Sequence, residues 1–376
     1  MAPNTEVLIM TCATEGFNSF VGVDLHKCTV TLAAVAPGGE PIRRLKISTK
    51  SVGKIEDWLL HLPRPTWMAV EACPFVEWFI ERFRSCVDRI DIADATELAN
   101  LRGKRRKTDR KDALDVARRL ARGECPLGFI ADGQLMQLRK LGRHWRQLSR
   151  LLSRSKHALK SMLNAANIRG PKFDGASAHR WFLAHRDLLG AVQQQAFSDF
   201  LDVILLTERA RERLRREIHF AAHAKRFAPT VSLLMSVPGI DLIWACIIAA
   251  EIGPFDRFPN ADALEFWVGL TADVKESAGR TQSGPITKAG SATLRWALCQ
   301  AALTLCHSDA RQEAIRQRLI RRIGKPKANV AMGRRLLRIL YAMMRDGKRY
   351  EGGPRRNRTA AANRARLAKR QTKQAA

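Results

Sequence analysis

No stretch of this 376-residue chain is apolar for long enough to cross a bilayer. The longest run, Leu242 to Ala250, is nine residues between Asp241 and Glu251, where a spanning helix needs about 20. The opening MAPNTEVLIM has no basic segment ahead of an apolar one, so no secretory signal is expected. Cysteines stand at 12, 28, 73, 86, 125, 246, 299 and 306. No two are spaced C-x-x-C and none has a histidine at zinc-ligand spacing, which argues for reduced cytosolic thiols. Cys299 and Cys306 read as small core residues. A G-x4-G-K-[ST] loop is missing too, so nothing points to a nucleoside triphosphate as energy source. The sharpest shortage is of acids: 36 Asp and Glu face 65 Lys and Arg, a formal net charge of +29. A soluble, cytoplasmic, nucleoid-associated protein is the expectation.

Hydrophobic residues make up 46% of the chain, enough for real cores, so wholesale disorder is excluded. The length allows two or three domains. The positive charge is concentrated. Residues 1–100 hold 10 basic and 13 acidic side chains, 101–170 hold 19 and 5, 171–310 hold 15 and 15, and 311–376 hold 21 and 3. Blocks of +14 and +18 therefore stand apart from near-neutral stretches. Such blocks attract a polyanion by counterion release, and binding weakens steeply with salt. Nucleic acid is the expected partner.

Residues 1–17 read as a flexible leader. From Phe20 the pattern is that of strands: 20–25, 29–36 after a short turn, and 41–49 after the turn at Gly38-Gly39. A helix over 51–61, a strand over 66–71, a helix over 75–85 and a strand over 89–94 follow. A basic stretch then leads to a helix starting near Thr108. Three meandering strands followed by alternating helices and strands describe an α/β domain over 18–130, with a mixed sheet of the ribonuclease-H kind.

Residues 131–228 are helical and Leu-rich. Leu138, Leu141, Trp145, Leu148, Leu152, Ser155, Leu159 and Met162 follow alternating 3- and 4-residue steps, a heptad seam broken only by Ser155. With a second helical stretch over about 188–224, this predicts a helical hairpin, a dimerising coiled coil or an ordinary bundle, joined through a turn-rich segment around Asn167, Gly170 and Pro171. A mostly helical C-terminal domain over 229–345 opens on SVPGI (236–240), a turn that resembles a helix-hairpin-helix element, whose amides can meet a phosphate. The tail, 346–376, is too polar and basic to pack alone and is expected to stay disordered until it meets nucleic acid.

In a chain short of acids, the positions of those that remain carry weight. Asp24 ends the first strand, within GVDLHK, and Glu71 ends TWMAVE. Asp109 and Asp112 lie in KTDRKDA, spaced i, i+3 at a helix start, so that both project from one face. In a ribonuclease-H-like sheet these elements converge. Four gathered carboxylates repel one another unless a cation sits among them, and Mg²⁺ suits hard oxygen donors and substrate phosphates. Two ions about 3.5–4 Å apart would stabilise both oxygens of a phosphodiester displacement. Beside the acids stand Arg102, Lys104, Arg105, Arg106, Lys107, Arg110 and Lys111, a basic strip that holds a strand without reading its sequence.

The segment 268–298 has no aliphatic rhythm until its last helix. It offers Ser277, Gly279, Ser283, Gly284 and Gly290, with Arg280 and Lys288 close by. Gly-bearing backbone beside cations suits a hydroxyl nucleophile presented to a phosphate, although a plain surface loop has the same composition.

Taken in order, GVDLHK, MAVEA, KTDRKDA, VPGI with AAEIG, and GL-x6-S-x-G with ITKAG and LR resemble the DEDD transposases of insertion-sequence family 110. The resemblance spans about 20–345. It implies a RuvC-like domain joined through a coiled coil to a serine-bearing domain, with Asp24, Glu71, Asp109 and Asp112 as metal-binding acids and Ser277 as nucleophile. The sequence departs from the family where Ala278 separates Ser277 from Gly279, where Ala272 replaces a Pro and where Pro74 replaces a Gly. Ser283 stays the alternative nucleophile. The resemblance implies serine attack on a DNA phosphodiester with Mg²⁺ (Mn²⁺ as substitute), a 5′-phosphoserine intermediate, and a composite site completed between protomers of a homodimer or homotetramer. It also implies double-stranded DNA and an element-encoded noncoding guide RNA as partners. A RuvC-like junction resolvase or nuclease using water, and a non-catalytic nucleic-acid-binding protein, are the rival readings.

Overall fold

The computed structural model describes residues 14–102, 109–277 and 280–352, without the side chains at 96, 100, 102, 109–111, 273–277 and 280–283. By its internal contacts the chain divides into two units, 1–130 and 131–376.

In the first unit, β1 (Ser19–Leu25), β2 (Thr29–Val35) and β3 (Pro41–Ser48) form an antiparallel meander. Then α1 (Val52–Leu60) leads to β4 (Thr66–Glu71), and α2 (Val76–Phe83) to β5 (Arg89–Ala93). Helices α3 (Ala95–Arg102) and α4 (Asp109–Ala121) and a short β6 (Leu127–Gly128) complete it. The strand order is β3-β2-β1-β4-β5-β6, with β4 parallel to β1 and β5 parallel to β4. This is the mixed sheet expected, with β1 at its centre.

Strands β1, β2 and β4 are covered on both faces, which is why they are apolar almost throughout, while the edge strand β3 is largely exposed. Val21, Val23, Met68 and Val70 pack with Ile55, Trp58, Phe79 and Phe83 of α1 and α2. On the other face Phe20, Trp67 and Ala69 meet Val116, Ala117 and Leu120 of α4. In α4 the apolar positions 113, 116, 117, 120 and 121 recur at the spacing of one helical stripe. Helix α3 was not anticipated, for a physical reason: ATELANLR has almost no amphipathic bias, and among its described side chains Leu98 alone joins the buried cluster.

The second unit begins with α5 (Gly133–Ala165), started by Asp132, whose carboxylate accepts from Leu135 N at 3.0 Å. After it come α6 (Gly175–His185) and α7 (Ala191–Ala222). Seam residues Leu152 and Leu159, with Leu163, pack on Phe197, Leu201 and Ile204 of α7, so this part of the seam is used within the chain. The joining segment is more ordered than its turn residues suggest. Asp174 caps α6, and Phe182 stacks on Phe197 at 4.8 Å between ring centres.

Next come α8 (Ala228–Met235) and α9 (Leu242–Ile252), then α10 (Ala261–Val268) and a hairpin of β7 (Ala272–Ser277) and β8 (Arg280–Ile286). The unit ends with α11 (Ala292–Ser308), α12 (Ala310–Ile323) and α13 (Lys325–Asp346). Helix α9 is apolar all round and is buried on nearly every side. It meets α5 where a Cβ on Gly142 would lie 2.9 Å from Ile247, and Arg143 pairs at 2.8 Å with Glu251, 3% exposed. Arg334 and Arg338 of α13 likewise hold the fully buried Glu265 of α10.

Candidate functional site

Strand register decides where the first two acids fall. β1 and β4 run parallel, with Val23 opposite Val70, so Asp24 and Glu71 are the next step along each strand. Alternation puts them on the face that α4 covers, since Phe20 and Trp67 point there and side chains repeat every second residue. A third acid comes from α4. A Cβ on Gly22 would lie 2.0 Å from the Ala113 carbonyl oxygen and 2.5 Å from Ala117 N, so only glycine lets the helix approach so closely. That contact seats the helix start, with Asp112, over the C-terminal end of β1. Asp24, Glu71 and Asp112 then line one cleft of about 340 Å³, with His26 and Cys73 at its wall.

The Asp24 side chain is 13% exposed, and His26 Nε2 lies 3.3 Å from its Oδ2. Asp112 is 9% exposed. Carboxylates withdrawn from water in one cleft are costly without compensating positive charge. Burial pushes the Cys73 thiol up, and the charges of Asp24 and Glu71 act the same way against hydrogen bonds from the backbone of Phe75 and Val76. A thiol held protonated leaves the cleft dominated by hard oxygen donors. Among the described residues no three Asp, Glu, His or Cys side chains form a ready-made ion cage. Mg²⁺ does not need one, because it keeps several waters and binds through one or two carboxylates plus substrate phosphates. The donor chemistry of the cleft therefore fits such an ion.

Asp109 opens α4, one turn before Asp112, and its side chain lies outside the described residues. Of the basic strip, Arg102 ends α3, and Arg110 and Lys111 lie in the first turn of α4. Lys104, Arg105, Arg106 and Lys107 lie outside the described residues. Sequence reasoning did not single out His26 or Cys73. The signal was present, since His26 stands two residues after Asp24 and Cys73 two after Glu71.

The serine segment forms a hairpin, where the sequence suggested a loop. Ser277 ends β7 and pairs with Arg280, the first residue of β8. Ser283 lies further back, opposite Val274. Short runs of Lys, Glu, Ser and Thr hide strand character from any reading based on apolar alternation. The hairpin base is clamped. Gly269 ends α10 with φ 72°, and a Cβ there would lie 2.5 Å from Ala289 N. One on Gly290 would lie 2.1 Å from the Trp267 carbonyl oxygen. Arg295 donates to the carbonyls of Val268 at 2.9 Å and Gly290 at 2.7 Å. Lys288 is exposed beside this clamp, in the left-handed region, its N–H donating to the Gly269 carbonyl at 3.2 Å.

Comparison with known families gives two consecutive matches. Residues 21–168 match the transposase model for the DEDD domain of IS110 elements, and residues 231–317 match the transposase family IS116/IS110/IS902. Together they cover more than half of the chain. The protein y4qE of Sinorhizobium fredii, named for a transposase, is 25% identical over 291 residues, 76% of this chain and 71% of that one. An uncharacterized 43.6 kDa protein of insertion element IS110 from Streptomyces coelicolor is 27% identical over 143 residues, 38% of this chain and 34% of its own length.

Proposed function

The chain belongs to the IS116/IS110/IS902 family of transposases, and from that premise we propose that it cuts and rejoins DNA strands by transesterification at Ser277. The observation that carries this reading is the cleft where Asp24, Glu71 and Asp112 converge from two adjacent strands and a helix. Asp109, one turn away, completes the set of four. These residues would hold Mg²⁺, or Mn²⁺ in its place, which when bound supplies positive charge to the phosphate oxygens as negative charge builds on them.

In the cutting step the Ser277 hydroxyl oxygen bonds to phosphorus and the bond from phosphorus to the 3′ oxygen breaks. The serine proton passes to solvent or a nearby base, and the departing 3′ oxygen takes one up, leaving a free 3′-hydroxyl and a 5′-phosphoserine ester. A second strand's 3′-hydroxyl reverses the step and restores the serine. Bond energy is conserved, so no nucleotide cofactor is required. Support for Ser277 over Ser283 comes from its place at the end of β7 and its spacing from Gly269-Leu270. Arg280, opposite Ser277, and Lys288, exposed at the base, provide cations for the strand being cut, and the basic residues 102–111 track its backbone.

The +14 and +18 blocks are suited to double-stranded DNA and to a noncoding guide RNA, to which sequence choice would be delegated. A homodimer or homotetramer in the nucleoid is part of the same reading. The test uses the full chain, DNA of the element ends and Mg²⁺, and seeks a denaturant-resistant protein–DNA adduct mapped by peptide mass spectrometry. A phosphoserine at 277, lost in Ser277→Ala and in Asp112→Asn, is the expected result. Metal-dependent cleavage that survives Ser277→Ala without an adduct would replace this reading with water-driven hydrolysis, to which the self-contained acidic cleft also lends itself.

A further inference from the structure

Away from the acids and the hairpin, the second unit has a cavity of about 250 Å³ between α5 and α11, lined by Ser149, Arg150, Ser153, Arg154, His157 and Trp296. We propose that it is a binding site for an unpaired nucleotide of a single-stranded nucleic acid, whose base stacks on Trp296 and whose phosphates meet Arg150, Arg154 and His157. It does not depend on which nucleophile cuts the strand.

Helix periodicity arranges the cations. Positions 150, 154 and 157 fall on one stripe of α5, turned away from Leu152 and Leu159, which pack on α7. Arg150 and Arg154 are one turn apart, about 6 Å along the axis, a step comparable to that between phosphates on an extended strand. All three side chains are exposed, and no carboxylate pairs with any of them among the described residues. Ser149 and Ser153 donate their hydroxyls back to the carbonyls of Trp145 at 2.8 Å and Ser149 at 2.9 Å. They are left as acceptors, so the arginines and the histidine supply the anion-binding donors.

The aromatic wall comes from α11. Trp296 is half-buried and braced edge-on by Trp244 at 4.8 Å between ring centres. Behind it the Arg146 guanidinium lies 5.9 Å from the Trp296 ring and donates to Thr293 Oγ1 at 3.3 Å. Its buried Nε has no hydrogen-bond partner among the described residues. Burial pushes the Arg146 pKa down, and the like charge of Arg150 acts in the same direction. An anion beside these two cations would relieve both effects. A braced indole next to a row of cations is the combination by which proteins hold single strands with little regard to sequence. At about 250 Å³ the cavity lies just below the usual range of small-molecule pockets and has room for one heterocycle.

The test measures binding of labelled oligo-dT, oligo-U and a duplex to the full chain by fluorescence anisotropy across a salt series. Trp296→Ala should weaken single-strand binding about tenfold, leave duplex binding within about twofold, and leave the salt slope unchanged. Trp296→Phe should retain most of the affinity. Replacing Arg150 and Arg154 together by Gln should reduce the single-strand salt slope by about 1.4. A preference for oligo-dT or oligo-U identifies the strand type, and equal binding of both supports a site that reads stacking faces and phosphates alone. The proposal fails if Trp296→Ala binds single strands as the parent does, or if it weakens single strands and duplex alike. Should Trp296→Ala melt early by circular dichroism, the double Gln variant decides, its substitutions being at exposed positions. An unchanged single-strand slope there overturns the site.

Discussion

At Gly22, strand β1 and helix α4 meet backbone to backbone, and a methyl group there has nowhere to go. It would lie 2.0 Å from a carbonyl oxygen and 2.5 Å from an amide nitrogen, main-chain atoms that yield only if the whole helix shifts. Gly22→Ala should therefore cost about 3 kcal/mol, the upper end of the usual range for overpacking. It should also abolish metal-dependent cleavage by moving Asp112 away from Asp24. Gly53→Ala, in α1 with nothing within 4 Å of the new methyl, is the control and should be neutral or stabilising by about 0.5 kcal/mol. Denaturant midpoints for the two variants check the first claim, and cleavage assays the second. The carboxylates were legible in the sequence because they are rare and end apolar strands. The glycine that brings the third to the other two was not, since a close approach between distant elements leaves no local pattern.

Among the elements, α12 and the segment after α13 are joined by one tyrosine. Asp309, 2% exposed, starts α12 by accepting from the backbone of Arg311 at 2.8 Å and Gln312 at 3.1 Å. Tyr350 donates its hydroxyl to the same carboxylate at 2.8 Å, and its N–H donates to Ser236 Oγ at 3.0 Å, beside the turn between α8 and α9. Burial first, and then the bond to Asp309, push the phenol up to about 12 from 10.0. A folded state that holds this proton more tightly than the unfolded chain has the full benefit below about pH 10 and loses it as pH rises towards about 12. Tyr350→Phe should thus lower stability by about 1 kcal/mol near neutrality. The gap between variant and parent should narrow at about pH 11, as urea titrations at both pH values would show. Element boundaries were legible wherever apolar residues keep a period, as in β1, β4, α4 and the α5 seam. They were hidden in α3, α6 and the β7–β8 hairpin, whose described contacts include a buried leucine, an aromatic stack and a backbone clamp.

Across the whole molecule the acids and the bases do separate work, and their distribution constrains what can bind. Residues 1–100 carry a slight excess of acid, 13 against 10, while 311–376 carry 21 bases against 3 acids. A polyanion is therefore drawn in by the cationic blocks and repelled by the carboxylate cleft unless a cation occupies it. Affinity and chemistry should respond to different variables: binding to salt, cleavage to divalent ion. The tail offers a clean separation of the two. Ending the chain after Gly352 keeps Tyr350 and its contact with Asp309, and removes Arg355, Arg356, Arg358, Arg364, Arg366, Lys369, Arg370 and Lys373 without removing an acid. Thermal stability should be unchanged. The slope of log affinity against log salt should become shallower by roughly one unit for each phosphate the tail neutralises, up to about 7 on duplex DNA. Filter binding at several salt concentrations measures it, and an unchanged slope would assign the charge of this block to α12 and α13 instead. The divalent-ion dependence of cleavage should stay that of the full chain, because each acid of the cleft lies before residue 113.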